Sequence, residues 1–182
     1  MTQFPLRRCA AILVSAIAIS LPAMALAQTA TPAAPAPPAV RSDAREQVPA
    51  ALLGIWKADI AASTYASTPP REALRVFQYT ADGKVLVMFL TVAANGSVSN
   101  GHWSAQVDGG DALEYHSSYG STPYNIVTLT KVDARNFNLA VSRHGVVSIT
   151  GSYLLSEDGQ TLTYKYQAVG RETTILYRRW MG

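Results

Sequence analysis

The sequence predicts an all-β domain, an antiparallel up-and-down meander of about eight to ten strands closed into a barrel. Three observations carry this. Turn pairs recur about every dozen residues over much of the chain, at Asp82-Gly83, Asn95-Gly96, Asp108-Gly109-Gly110, His144-Gly145, Asp158-Gly159 and Val169-Gly170, and such pairs supply the positive φ of tight hairpins. Between them lie segments dense in Val, Ile, Thr, Tyr, Phe and Leu, which suit a pleated, half-buried surface. Beyond Ala50 no stretch has a helical period. A meander of this length either closes or leaves unpaired edges, and closure removes them.

The chain of 182 residues divides into three parts in order. Residues 1–27 have a basic front with Arg7 and Arg8, an apolar run from Ala10, and Ala25-Leu26-Ala27 at the end. This pattern describes a cleavable signal peptide cut after Ala27, with a periplasmic or secreted destination. Ser15, Ser20 and Pro22 interrupt the run, which is short of the about 20 unbroken apolar residues of a membrane span. Loss of Arg7 and Arg8 leaves 13 basic against 12 acidic side chains, a net charge of +1. That balance gives no reason to expect nucleic-acid binding. The one cysteine, Cys9, falls inside the signal, so the mature chain has no disulfide and no thiolate metal site. Residues 28–49 are rich in Ala, Pro and Thr, a composition that reads as an extended tether. The barrel domain is then 50–182.

Within the domain, Gly54-Ile55-Trp56 opens the first strand and the connection 60–71 follows. The strand Lys84–Ala93 is apolar on both faces, which suggests an envelope partner or a second copy of the chain against Val85–Val92. A two-residue turn at Asn95-Gly96 sets Met88 opposite Trp103 and Leu86 opposite Ala105. A three-residue Asp108-Gly109-Gly110 loop then puts Trp103 and Tyr115 on the inner face, with His102 opposite His116 on the outer one. Two facing imidazoles are a metal or proton site in outline, with no third ligand in sight; no other metal site is expected. The loop 117–124 contributes Tyr119 and Tyr124. A two-residue turn at Asp158-Gly159 pairs Tyr153 with Tyr164, Leu155 with Leu162 and Gly151 with Tyr166, all inward, while Ser152 and Lys165 face solvent.

Gly54-Ile55-Trp56-Lys57, Ala62-Ser63-Thr64-Tyr65, Pro69-Pro70 and Ser156-Glu157-Asp158-Gly159-Gln160-Thr161-Leu162-Thr163, in that order, resemble the uncharacterised secreted bacterial lipocalin-like domains of the calycin superfamily. The resemblance implies that Trp56 closes one end of the barrel and that an arginine of the last strand, Arg178 or Arg179, packs across it.

No Gly-x-Ser-x-Gly, Ser-x-x-Lys, His-Glu-x-x-His or phosphate-cradling glycine loop occurs, so neither an enzyme nor a cofactor is expected. Two uses of the barrel remain. In one, Leu86, Met88, Trp103, Tyr115, Tyr119, Tyr124, Tyr153, Tyr164 and Tyr166 line a site for a small apolar or amphipathic molecule. In the other, the same side chains fill the core of a non-catalytic structural or interaction module of the cell envelope.

Overall fold

The computed structural model describes residues 43–181 except Ser121, and the side chain of Tyr119 also lies outside the described residues. The expected signal peptide, Cys9 and most of the expected tether therefore fall outside it. Ten strands follow one another: β1 (Gly54–Ala58), β2 (Glu72–Tyr79), β3 (Val85–Val92), β4 (Val98–Ala105), β5 (Ala112–His116), β6 (Pro123–Lys131), β7 (Asn136–Arg143), β8 (Val146–Leu155), β9 (Thr161–Ala168) and β10 (Arg171–Arg179). Each pairs antiparallel with the next, and β1 pairs with β10, so the barrel is closed and up-and-down throughout. Among the described residues no helix is long and apolar enough to cross a membrane.

The seam between first and last strands is the expected one, and Arg179 is the arginine that forms it. Trp56 stands opposite Arg179, whose guanidinium carbon lies 4.4 Å from the centre of the indole. The indole Nε1 donates to the Leu52 carbonyl at 2.8 Å, and Trp56 is fully buried. Arg179 donates to the carbonyls of Leu53 at 2.8 Å and Gly159 at 3.1 Å, and to that of Ala51. Gly54 has φ +114°, and a Cβ there would sit 3.1 Å from Arg179 Nη1, so the glycine of the motif is required by both backbone and arginine. Arg178 points away, to Asp59 at 2.9 Å.

The folded part begins earlier than Ala50. Residues 44–47 form a short helix α1 (Ala44–Gln47), capped by Asp43. Ala44 and Val48, four apart on one face, are buried against the barrel. Ala44 N–H donates to Gly83 O at 2.8 Å, and the Tyr79 hydroxyl donates to Val48 O at 2.6 Å. The end of the expected tether thus lies packed against the closed end of the barrel.

Two registers differ from expectation by one residue. The β3–β4 hairpin is closed by Ala93 and Ser97, with three residues between them and Gly96 at φ +85°. The extra residue turns every side chain of the strand over. Val87, not Met88, faces Trp103, and Val85 faces Ala105; Leu86 and Met88 lie on the outer wall. The β4–β5 connection spans residues 106–111, with positive φ at Asp108 and Gly110. Accordingly Trp103 pairs with Glu114 and His102 with Tyr115, while His116 stands opposite Gly101. The two histidines therefore occupy opposite faces and make no pair. His102 stacks on Tyr115 outside, with ring centres 5.2 Å apart. The β8–β9 register is as expected, Tyr153 opposite Tyr164 and Leu155 opposite Leu162. β3 has no free edge, since β2 and β4 pair along its length, and Val85 and Val87 are buried within the chain.

The interior is layered along the barrel axis. Trp56, Phe77, Val87, Val127, Phe137, Leu155 and Leu162 form the floor, at the end carrying the 80–84 and 156–160 turns. Because strands alternate in direction, the connections 59–71 and 117–122 share the other end.

Candidate functional site

A cavity of about 740 Å³ opens at the end opposite Trp56, within the 300–1,000 Å³ range of small-molecule sites. Ten strands give a wider interior than the eight that side chains can just fill. Room is left because small residues, Ala73, Ala93, Ala94 and Ser99, interrupt the lining. A Cβ on Gly151 would lie 2.9 Å from the Tyr166 Cβ, so that glycine admits the aromatic stack beside it. Tyr153, Tyr164 and Tyr166 stack with centres 4.6 and 5.0 Å apart, and Phe77 meets Tyr153 edge-on at 5.3 Å.

The mouth is shaped by the two long connections and the hairpin tips. Beyond β1 the chain continues along β10, where Thr64 and Thr174 exchange backbone hydrogen bonds of 2.7 and 2.8 Å. Ser63 Oγ accepts from the Leu176 N–H at 3.0 Å. This anchoring carries Tyr65, Ser67, Thr68 and Pro70 to the rim. On the second connection, His116 Nδ1 accepts from the Ser118 N–H at 3.2 Å. The Arg143 guanidinium lies over the Tyr124 ring at 3.9 Å and donates to its hydroxyl.

Of the residues expected to line the site, Trp103, Tyr124, Tyr153, Tyr164 and Tyr166 do line the cavity. Leu86, Met88 and Tyr115 do not, for the register reasons above. In their places stand Phe89, Glu114 and His116, the neighbours one position along in sequence.

The cavity lining carries one arginine and one carboxylate among the described residues, Arg75 and Glu114, and sequence reasoning missed both. Arg75 follows Ala73 and precedes Phe77 and Tyr79 on the inner face of β2, where alternation alone would have shown a cation among apolar residues. Its guanidinium carbon lies 4.6 Å from the Tyr164 ring centre, 5.4 Å from Phe89 and 5.7 Å from Tyr153. Burial works against its charge, but the oxygens of Tyr153, Tyr177 and Tyr164 outweigh that and hold its pKa above the ordinary guanidinium range. Its buried Nε has no hydrogen-bond partner, nor has the buried hydroxyl of Tyr153. Burial pushes the Tyr153 pKa up to about 12, opposed by Arg75 and assisted by Tyr177 and Glu114. Tyr153 is therefore a neutral hydroxyl, able to donate, throughout the physiological range. Glu114, 8% exposed, accepts a hydrogen bond from Asn125 Nδ2 at 2.8 Å. Among the described residues no cluster of His, Cys, Asp or Glu is arranged to hold a metal.

No model of a known protein family matches this chain, and no curated protein matches it. The class is therefore set by geometry: a closed ten-strand antiparallel barrel, sealed at one end by a tryptophan–arginine pair and open to a cavity at the other.

Proposed function

We propose that the protein is an exported, non-enzymatic lipocalin-like barrel that binds a small apolar or amphipathic molecule in its interior. The observation that carries the reading is the cavity of about 740 Å³, walled by Phe89, Trp103, Tyr164 and Tyr166. Aromatic walls supply large apolar area, and a few fixed polar groups orient what binds. Export is supported by the basic front, apolar run and small residues that end at Ala27.

Two results test the reading together. Native mass spectrometry of the full chain, expressed in a bacterium with its leader and recovered from the periplasm, should show a mass beginning at Gln28 and a complex that releases a small molecule on activation. A cytoplasmic chain retaining Met1 would overturn the export reading. Protein that stays ligand-free after incubation with a library of apolar small molecules would overturn the binding reading.

A further inference from the structure

Resting on the reading of the barrel as a ligand-binding site, we propose that the bound molecule is a carboxylate with an apolar chain, held head-first with its anion at Arg75 and Tyr153. Arg75 is a cation inside a barrel whose other walls are largely apolar, and such a charge is costly unless it is paired. Among the described residues the ion pairs are Arg45–Asp43, Lys57–Glu72, Lys84–Asp82, Arg135–Glu157, Lys165–Glu172 and Arg178–Asp59. None includes Arg75, and Glu114, the one carboxylate among the described residues that line the cavity, lies beyond ion-pair distance and is held by Asn125. The three aromatic rings around the guanidinium offset part of its cost through their faces. They leave its Nε without a partner, while the Tyr177 hydroxyl meets the guanidinium from the side. The Tyr153 hydroxyl, a second unpartnered and buried donor, lies in the same aromatic cluster. A carboxylate accepts from two donors at once, and guanidinium geometry suits it.

The depth of these groups sets the orientation. Arg75 lies one inward position from the floor residue Phe77, and Tyr153 one from Leu155. Toward the mouth Val141, Ile149, Ile175 and Tyr166 offer apolar contact to a chain, and Thr91, Ser99 and His116 stand among them.

The test compares laurate, methyl laurate and lauryl alcohol as competitors of a polarity-sensitive fluorophore bound to the full chain. Laurate should bind at least tenfold more tightly than the ester or the alcohol, about 1.4 kcal/mol. Arg75→Met should remove that gap while leaving alcohol affinity within about threefold. Equal affinities in the wild type, or a gap that survives Arg75→Met, would overturn the carboxylate assignment and leave the barrel reading standing. If none of the three displaces the fluorophore and no other apolar compound binds, the barrel reading itself fails. Should Arg75→Met not fold, Tyr153→Phe is the second variant and should narrow the gap severalfold; an unchanged gap there counts against the proposal, and the wild-type comparison with the ester requires no variant.

Discussion

The guanidinium of Arg179 lies 4.4 Å over the indole of Trp56 while its nitrogens donate to the carbonyls of Leu53 and Gly159. One side chain thereby joins the first strand, the last strand, the entering chain and the β8–β9 turn. Arg179→Lys keeps the charge but not the planar fork, so it should cost about 1–3 kcal/mol. Trp56→Ala, which opens a large hole in the floor, should cost about 3–5 kcal/mol. Denaturant melts of both variants check the order. A lysine variant as stable as wild type would reduce the seam to a packing contact.

Gly54→Ala should destabilise by about 1–3 kcal/mol, because an L residue at φ +114° is strained and its Cβ crowds Arg179. The double variant Gly54→Ala, Arg179→Ala should lose less than the sum, since the crowding partner has gone. Strict additivity in the melts would assign the whole cost to the backbone.

Val169 has the opposite sign. It sits at the β9–β10 tip, 96% exposed, with φ +50°, a region where a β-branched residue costs about 1–2 kcal/mol. Val169→Asn should therefore raise the midpoint of thermal unfolding, by an amount equivalent to about 1 kcal/mol. A lowered midpoint would show that the valine makes a contact worth more than its strain.

The strands were legible in the sequence, and the site was only partly so. Val, Ile and Tyr between glycine-bearing turns pointed to about eight to ten strands and to closure, and the barrel has ten. Asp158-Gly159, a two-residue turn, gave β8 and β9 their pairing, and with it Tyr153, Tyr164 and Tyr166. Turn length decided the failures. Asn95-Gly96 occupies a three-residue loop, and the Asp108 loop is longer than its glycines suggest, so Leu86, Met88 and Tyr115 exchanged places with Val87, Phe89, Glu114 and His116. A period-two pattern cannot reveal a one-residue slip where both faces are apolar, as they are in β3. Alternation with Ala73, Phe77 and Tyr79 places Arg75 inward, but its meeting with Tyr153 and Tyr164 of β8 and β9 joins strands far apart in sequence, which no local turn reveals.

Alkaline pH should unfold the barrel through its buried tyrosines. Burial raises Tyr153 to about 12 and raises Tyr164 as well. A raised folded-state pKa contributes stability that is complete below the unfolded value, about 10, and is lost as pH climbs through the folded one. Tyrosinate absorbance and circular dichroism should therefore change together between about pH 10 and 12, with Tyr153→Phe shifting the transition upward. Full ionisation of all tyrosines in a still-folded protein would contradict it.

Glu114→Gln removes the carboxylate that shares the cavity with Arg75 and keeps an acceptor for Asn125. It should tighten laurate binding severalfold, since like charges repel across a low-dielectric interior, and leave lauryl alcohol unchanged. Calorimetric titration reads both. Equal tightening of the two would point to a change of shape instead of charge.

Whether the cavity holds a ligand is read by titrating a polarity-sensitive fluorophore into the wild type and into Ile149→Trp. Ile149 lines the cavity on its mouth side, and an indole there occupies space a ligand needs without touching the floor. Saturable, one-to-one binding in the wild type that weakens at least tenfold in Ile149→Trp, at unchanged stability, is the predicted result. Binding that is absent from the wild type, or equally strong in both proteins, would show that the cavity is not a ligand site.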